Sequence, residues 1–108
     1  MNTQTLGHTT VITASGNQAQ FLSELSAGIG SMDSNLIVDL MALGEMSVAS
    51  VLEFHPLAKA HKKRKKSFVV VAAGVDYDEF PESLAVVPTL QEAHDVIEME
   101  EIERDLGF

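Results

Sequence analysis

Three stretches of this sequence carry side chains whose types and spacing suit chemistry. In LIVDLMALGEMSVASVLEF, residues 36–54, a β-type apolar run meets a carboxylate at Asp39. It then passes through a small-residue turn to hydroxyls at Ser47 and Ser50, at the start of a helical pattern. Free N–H groups and the macrodipole at a helix start favour phosphate, so either serine is a candidate phosphorylation site. Structural uses compete: Ser47 is a natural N-cap, and Ser50 with Glu53 has capping-box spacing. Asp39 is placed as an acceptor for local backbone N–H groups. His94 and Glu98 stand four apart and would make half of a metal site, but no third ligand is in view, and neither metal nor other cofactor is expected. Finally, Glu98, Glu101 and Asp105 follow one another at helical steps in EMEEIERDLGF. Like charges so spaced cost a few tenths of a kcal/mol per pair. Together with the terminal Phe108 they are candidates for a partner-binding surface.

The remaining residues argue against an enzyme. The histidines His8, His55, His61 and His94 are isolated in sequence, and there is no cysteine to act as nucleophile, thiolate ligand or disulfide. No catalytic residue is assigned. A formal charge of −9 over 108 residues repels phosphate backbones and anionic lipid, so neither nucleic acid nor membrane is the expected partner. The charge is unevenly spread: six of the seven basic residues lie between Lys59 and Lys66, and eleven acids lie between Asp76 and Asp105. The run KKRKK lacks interleaved aromatics and reads as a solvated helix end, where lysines complement the macrodipole. It would also attract an acidic surface, including the last helix of a second copy in a homodimer. The start, MNTQTLGHTT, has no apolar leader core and FVVVAAGV is too short to span a bilayer, so a cytoplasmic protein is expected.

The elements that must position these groups read as β β α β α β β α in one domain, residues 1–108. NTQTL and TTVITA flank a Gly7-His8 turn as a hairpin. Asn17 and Gln20 open a first helix with Phe21, Leu22, Leu25 and Ile29 at helical spacing. NLIVDLM and SFVVVAAGV are nearly continuous apolar runs, as strands covered on both faces should be. Between them a helix runs from Val48 into KAHKKRKK with a kink or break at Pro56. LAVVP is a shorter strand after the acidic loop DYDEFPES. Thr89 and Glu92 cap an acidic last helix, residues 89–106, whose apolar set is Leu90, Ala93, Val96, Ile97, Met99, Ile102 and Leu106. Such alternation implies an α/β fold: a mixed, mainly parallel sheet with helices packed on it and an antiparallel amino-terminal edge.

In α/β sheets chemistry gathers beyond the carboxyl ends of strands, which directs attention to the turn after Asp39. VDLMALGEM resembles the phosphoacceptor strand end of a response-regulator receiver. The acids, hydroxyl and lysine which that chemistry needs after the other strands are missing from VITASGN, VVVAAGV and LAVVPT. A broader resemblance, across nearly the whole chain, is to STAS domains, the anti-sigma factor antagonists. TTVITA, AQFLSEL, LIVDL, SVASVLEF, KSFVVVAAG and VPTLQEAHDVI occur in that family's order. The chain is also similar to short bacterial STAS-like chains sometimes called ribonuclease Z, although it has no clustered histidine motif for that chemistry. The resemblance implies a STAS-like fold and a bacterial regulatory, signal-transduction module that binds a protein partner, a switch kinase or anti-sigma factor, through the turn from Asp39 to Ser50. Where the family carries its phosphorylatable segment this chain has Ser47, Val48, Ala49 and Ser50, with both expected serine positions apolar. The family's third helix shrinks to DYDEFPE. An alternative reading is a sensor of a small ligand, a nucleotide or lipid, with an apolar pocket near Val48 and Ala49.

Overall fold

The computed structural model of the chain describes residues 2–107. The hairpin pairs β1 (Asn2–Leu6) antiparallel with β2 (Thr9–Thr13), its turn made by Gly7 in the left-handed region at φ 63°. Then follow α1 (Gln18–Gly28), β3 (Asn35–Asp39), α2 (Val48–Leu52), α3 (His55–Lys63), β4 (Phe68–Val71), β5 (Ala85–Val87) and α4 (Leu90–Asp105). The strands form one mixed sheet in the order β1-β2-β3-β4-β5, and every pair after the hairpin is parallel. The α/β architecture read from the sequence is therefore present, with its antiparallel amino-terminal edge.

Capping residues start the helices where the sequence places them. The Asn17 side chain accepts the Gln20 N–H at 2.8 Å, Ser47 accepts that of Ser50 at 3.1 Å and Thr89 that of Glu92 at 3.1 Å. Pro56 breaks the middle helix rather than kinking it. α2 ends at Leu52 and α3 restarts at His55, which puts the proline in the first turn, where its missing N–H costs nothing. The acidic loop after β4 keeps one turn of 3-10 helix at Tyr77–Glu79, with the Tyr77 hydroxyl donating to the Ala72 carbonyl at 2.9 Å.

Alternation along the strands divides the core into two unequal parts. Ile12, Leu36, Val38, Phe68 and Val70 point to the face covered by α1, α2 and α3, where they meet Phe21, Leu25, Val51, Phe54 and Ala58. Ile37, Val69 and Val71 point to the opposite face, where α4 alone brings Ala93 and Ile97. The smaller core is a consequence of how α4 is rotated. Of its expected apolar set only Ala93 and Ile97 are buried, and Val96 is half-buried. Leu90 is 41% exposed, Met99 62%, Ile102 56% and Leu106 67%. The physical reason is that apolar residues occur on both sides of this helix, so hydrophobicity alone does not choose its inner face. Among the described residues no helix is long and apolar enough to cross a membrane.

Candidate functional site

At the carboxyl end of the sheet, the groups singled out from the sequence are used to turn the chain. Asp39 ends β3 half-buried, and its carboxylate accepts the Met41 N–H at 3.0 Å, an Asx turn that launches the 3-10 turn Met41–Leu43. Gly44 then reverses the chain at φ 78°. A parallel bridge from Glu45 to Ala73 ties the loop to the end of β4, with the Glu45 side chain lying so close over Gly74 that a β-carbon there would stand 2.8 Å from its Cγ.

The two serines are coupled to each other. Ser47 Oγ accepts the Ser50 N–H and donates its own hydrogen to Ser50 Oγ at 3.0 Å. The Ser50 carbonyl receives the Gln18 amide at 2.7 Å, and the same amide reaches Glu53 at 3.2 Å. Ser47 is exposed and Ser50 half-buried, so the former is the more accessible hydroxyl. Val48 is half-buried and Ala49 exposed. The two cavities that stand out, of about 460 and 370 Å³, lie at the other end of the sheet.

That other end holds a polar cluster built on the first residues of the two central strands. Asn35 and Ser67, 3% and 0% exposed, stand at the start of β3 and just before β4. By alternation they share the face of Ile37 and Val69, under the carboxyl-terminal half of α4. Asn35 Oδ1 accepts the Ser67 N–H at 2.9 Å and an Arg104 N–H at 3.3 Å, while its amide nitrogen donates to Glu101 at 3.1 Å. Ser67 Oγ donates to Glu100 at 2.6 Å and accepts from Arg104 at 3.1 Å. Buried polar groups on the strands thus find their partners on α4, which sets the rotation of the helix and turns Met99, Ile102 and Leu106 outward.

The expected acidic row is accordingly split. Glu101 is held by Asn35, whereas Glu98 and Asp105 are exposed; Phe108 lies outside the described residues. Asp95, Glu98, Glu103 and Asp105 flank an outward stripe formed by Met99, Ile102 and Leu106, at helical steps of three and four. His94 and Glu98 gain no third ligand: among the described residues no three histidine, aspartate or glutamate side chains come together.

The basic run comes to this same end. Lys62, Lys65 and Lys66 line the 460 Å³ cavity with Glu100, Arg104 and Gly107. Beside it, His61 is buried and donates from Nε2 to the Ser34 carbonyl at 2.8 Å, with its ring edge toward Phe68. Its Nδ1 has no partner among the described residues. Burial lowers the His61 pKa from its ordinary value, assisted by Arg64 and Lys66 and opposed by the Ser34 bond. The imidazole is therefore neutral, and the described residues offer no acceptor for a second N–H.

Sequence reasoning missed Asn35, Ser67 and Arg104. The available signal was a polar residue opening each of two otherwise apolar runs, in phase with the inward set, and a lone arginine four residues after Glu100. No family model matches the chain, and no curated protein matches it significantly.

Proposed function

We propose that the chain is a non-enzymatic regulatory module of the STAS type that works by binding another protein, a switch kinase or anti-sigma factor by class. The stripe of Met99, Ile102 and Leu106 carries this reading, because three large apolar side chains in one row are each more than half exposed. Covering such side chains is worth about 25 cal/mol per Å² of apolar area removed from water. The order of elements, β β α β α α β β α, with a parallel sheet behind an antiparallel edge, also supports a STAS-like fold.

The chemistry of the partner follows from the flanks of the stripe. Asp95, Glu98, Glu103 and Asp105 favour an amphipathic helix whose apolar row is bordered by lysine or arginine, the helix-in-groove mode of recognition. A second copy would bring acid against acid, and a homodimer through this face is disfavoured. The turn from Asp39 to Ser50 is a second contact surface at the opposite end of the sheet. Phosphorylation of Ser47 or Ser50 would add nearly two negative charges beside Glu53 and replace the hydroxyl pair, which makes it a switch for that surface rather than for the stripe.

Fluorescence anisotropy tests the stripe with two helical peptides that share one apolar row, one flanked by lysines and the other by glutamates. The lysine-flanked peptide should bind saturably, weaken with salt, and lose affinity at least about tenfold in Ile102→Asp, a change at an exposed site that leaves folding within ~0.5 kcal/mol. Equal binding of both peptides, indifference to Ile102→Asp, or self-association through the stripe would remove the reading. Intact-mass measurement after incubation with candidate switch kinases tests the serines: no added phosphate on either leaves binding without the switch.

A further inference from the structure

We propose that the cavity between the end of α3 and the carboxyl-terminal turn of α4 binds a small phosphate-bearing anion of two or more negative charges. Lys62, Lys65, Lys66 and Arg104 converge on this space of about 460 Å³ and, among the described residues, face a single carboxylate, Glu100. One Glu100 oxygen already accepts the Ser67 hydroxyl at 2.6 Å. On a chain with sixteen acidic residues, such a concentration of positive charge is a departure from the rest of the molecule.

The three lysines are not consumed by the fold. Within residues 2–107 none of them makes an ion pair or hydrogen bond through its ammonium group, although Glu103 belongs to the same turn of α4 as Glu100 and Arg104. The helix macrodipole accounts for cations in the last turn of α3, which ends at Lys63. Lys65 and Lys66 lie beyond that turn, and Arg104 comes from another element.

Arg104 is already in place for a ligand. Its guanidinium is fixed by Ser67 Oγ and by Asn35 Oδ1, two buried residues, and these bonds leave further N–H groups of the fork to donate. Lys65 adds an independent observation. It is the non-glycine residue described in the left-handed region, at φ 63°, in the position after a helix end where glycine is the usual occupant. The Lys65 N–H bonds to the Lys62 carbonyl at 2.9 Å and the Lys66 N–H to that of His61 at 3.4 Å, a Schellman closure that a glycine would make with less strain. The lysine side chain is thus kept at a backbone cost, in the wall of a cationic cavity.

Phosphate oxygens point in several directions and meet cations arriving from different elements, whereas a lone carboxylate satisfies one planar fork. Long polyanions are disfavoured by the chain's formal charge of −9 and by the lack of stacking aromatics among the described lining residues. The neighbouring space of about 370 Å³ shares Arg104 but is otherwise lined by His8, Glu101 and Asp105, and would repel the same ligand.

Isothermal titration of the full chain with inorganic pyrophosphate, citrate and sulfate tests the site, with Lys65→Gly, Lys66→Gln and the non-lining control Lys59→Gln. Pyrophosphate should bind saturably and more tightly than either other anion. Lys65→Gly should raise the melting temperature of the free protein by relieving the backbone, yet weaken pyrophosphate about tenfold, as should Lys66→Gln. Lys59→Gln should change nothing. No saturable heat at millimolar pyrophosphate, equal binding of citrate or sulfate, or affinity untouched in both lining variants overturns the proposal. Because Ile102 lies outside the cavity, Ile102→Asp should leave pyrophosphate binding intact while weakening peptide binding at least about tenfold, so the two sites fail separately.

Discussion

The two ends of the sheet use their polar residues in opposite ways. At the carboxyl end, Asp39, Ser47, Ser50 and Gln18 are taken up by reversing the chain and starting α2, each bonded to a backbone group or to a neighbour. At the amino end, buried Asn35 and Ser67 absorb Glu100, Glu101 and one side of Arg104, and three lysine ammonium groups are still left over among the described residues. The end where α/β enzymes usually keep their chemistry is here the one most occupied with structure. Charge in excess of what folding consumes is what marks the binding surface proposed for this molecule.

The sharpest way to break the comparison is to remove the centre of the amino-end cluster. Asn35→Ala leaves the buried Ser67 N–H without its acceptor and frees Glu101 and one Arg104 bond at a single stroke. The expected loss is about 2–3 kcal/mol in urea denaturation. Hydrogen exchange should show the carboxyl-terminal half of α4 opening first. A loss no larger than that of a surface substitution would mean that the apolar contacts of Ala93 and Ile97 hold α4 by themselves.

Next in size is an acid sensitivity confined to the same end. His61 is held below its ordinary pKa by burial, so the folded chain keeps it neutral while the unfolded chain protonates near pH 6.5. Below that pH the unfolded state binds more protons, and stability falls with decreasing pH; above it the contribution is fully present. Urea midpoints measured from neutral pH down to about pH 5 should decline more steeply for the wild type than for His61→Gln, which has no imidazole to protonate. Parallel slopes would place the acid sensitivity in other groups.

How much of this was legible in the sequence follows the range of each interaction. The element order, the three side-chain caps at Asn17, Ser47 and Thr89, and the interruption at Pro56 depend on neighbours a few residues away, and they appear where the local pattern places them. The rotation of α4 does not. Met99, Ile102 and Leu106 sit at helical spacing as well as Ala93 and Ile97 do, and the choice between these faces is made by Asn35 and Ser67, more than thirty residues away in sequence. The juxtaposition of KKRKK with Glu100 and Arg104 likewise requires knowing that α3 and α4 both finish at the amino ends of the parallel strands.

At the carboxyl end, effects should be smaller and local. Ser47→Ala removes the side chain that caps α2 and is expected to cost about 1 kcal/mol, the usual value of an N-cap. Ser50→Ala should cost less, because the Ser50 N–H keeps its acceptor in Ser47 and only the hydroxyl pair is lost. If Ser50→Ala proves the more damaging, the Ser50 hydroxyl has a role that the cap geometry does not contain.

The smallest effect discriminates most sharply between a turn and a site. Asp39→Asn preserves an oxygen that can accept the Met41 N–H at 3.0 Å and removes only the charge. A carboxylate that serves the Asx turn should therefore tolerate the change within about 0.5 kcal/mol, since asparagine forms the same turn with a neutral acceptor. A carboxylate that meets a cationic partner should instead lose affinity for that partner with no change in the urea midpoint. Measuring both quantities on one variant separates the two uses: unchanged stability with unchanged binding assigns Asp39 to the turn alone, and unchanged stability with weakened binding makes the carboxyl end a second docking surface.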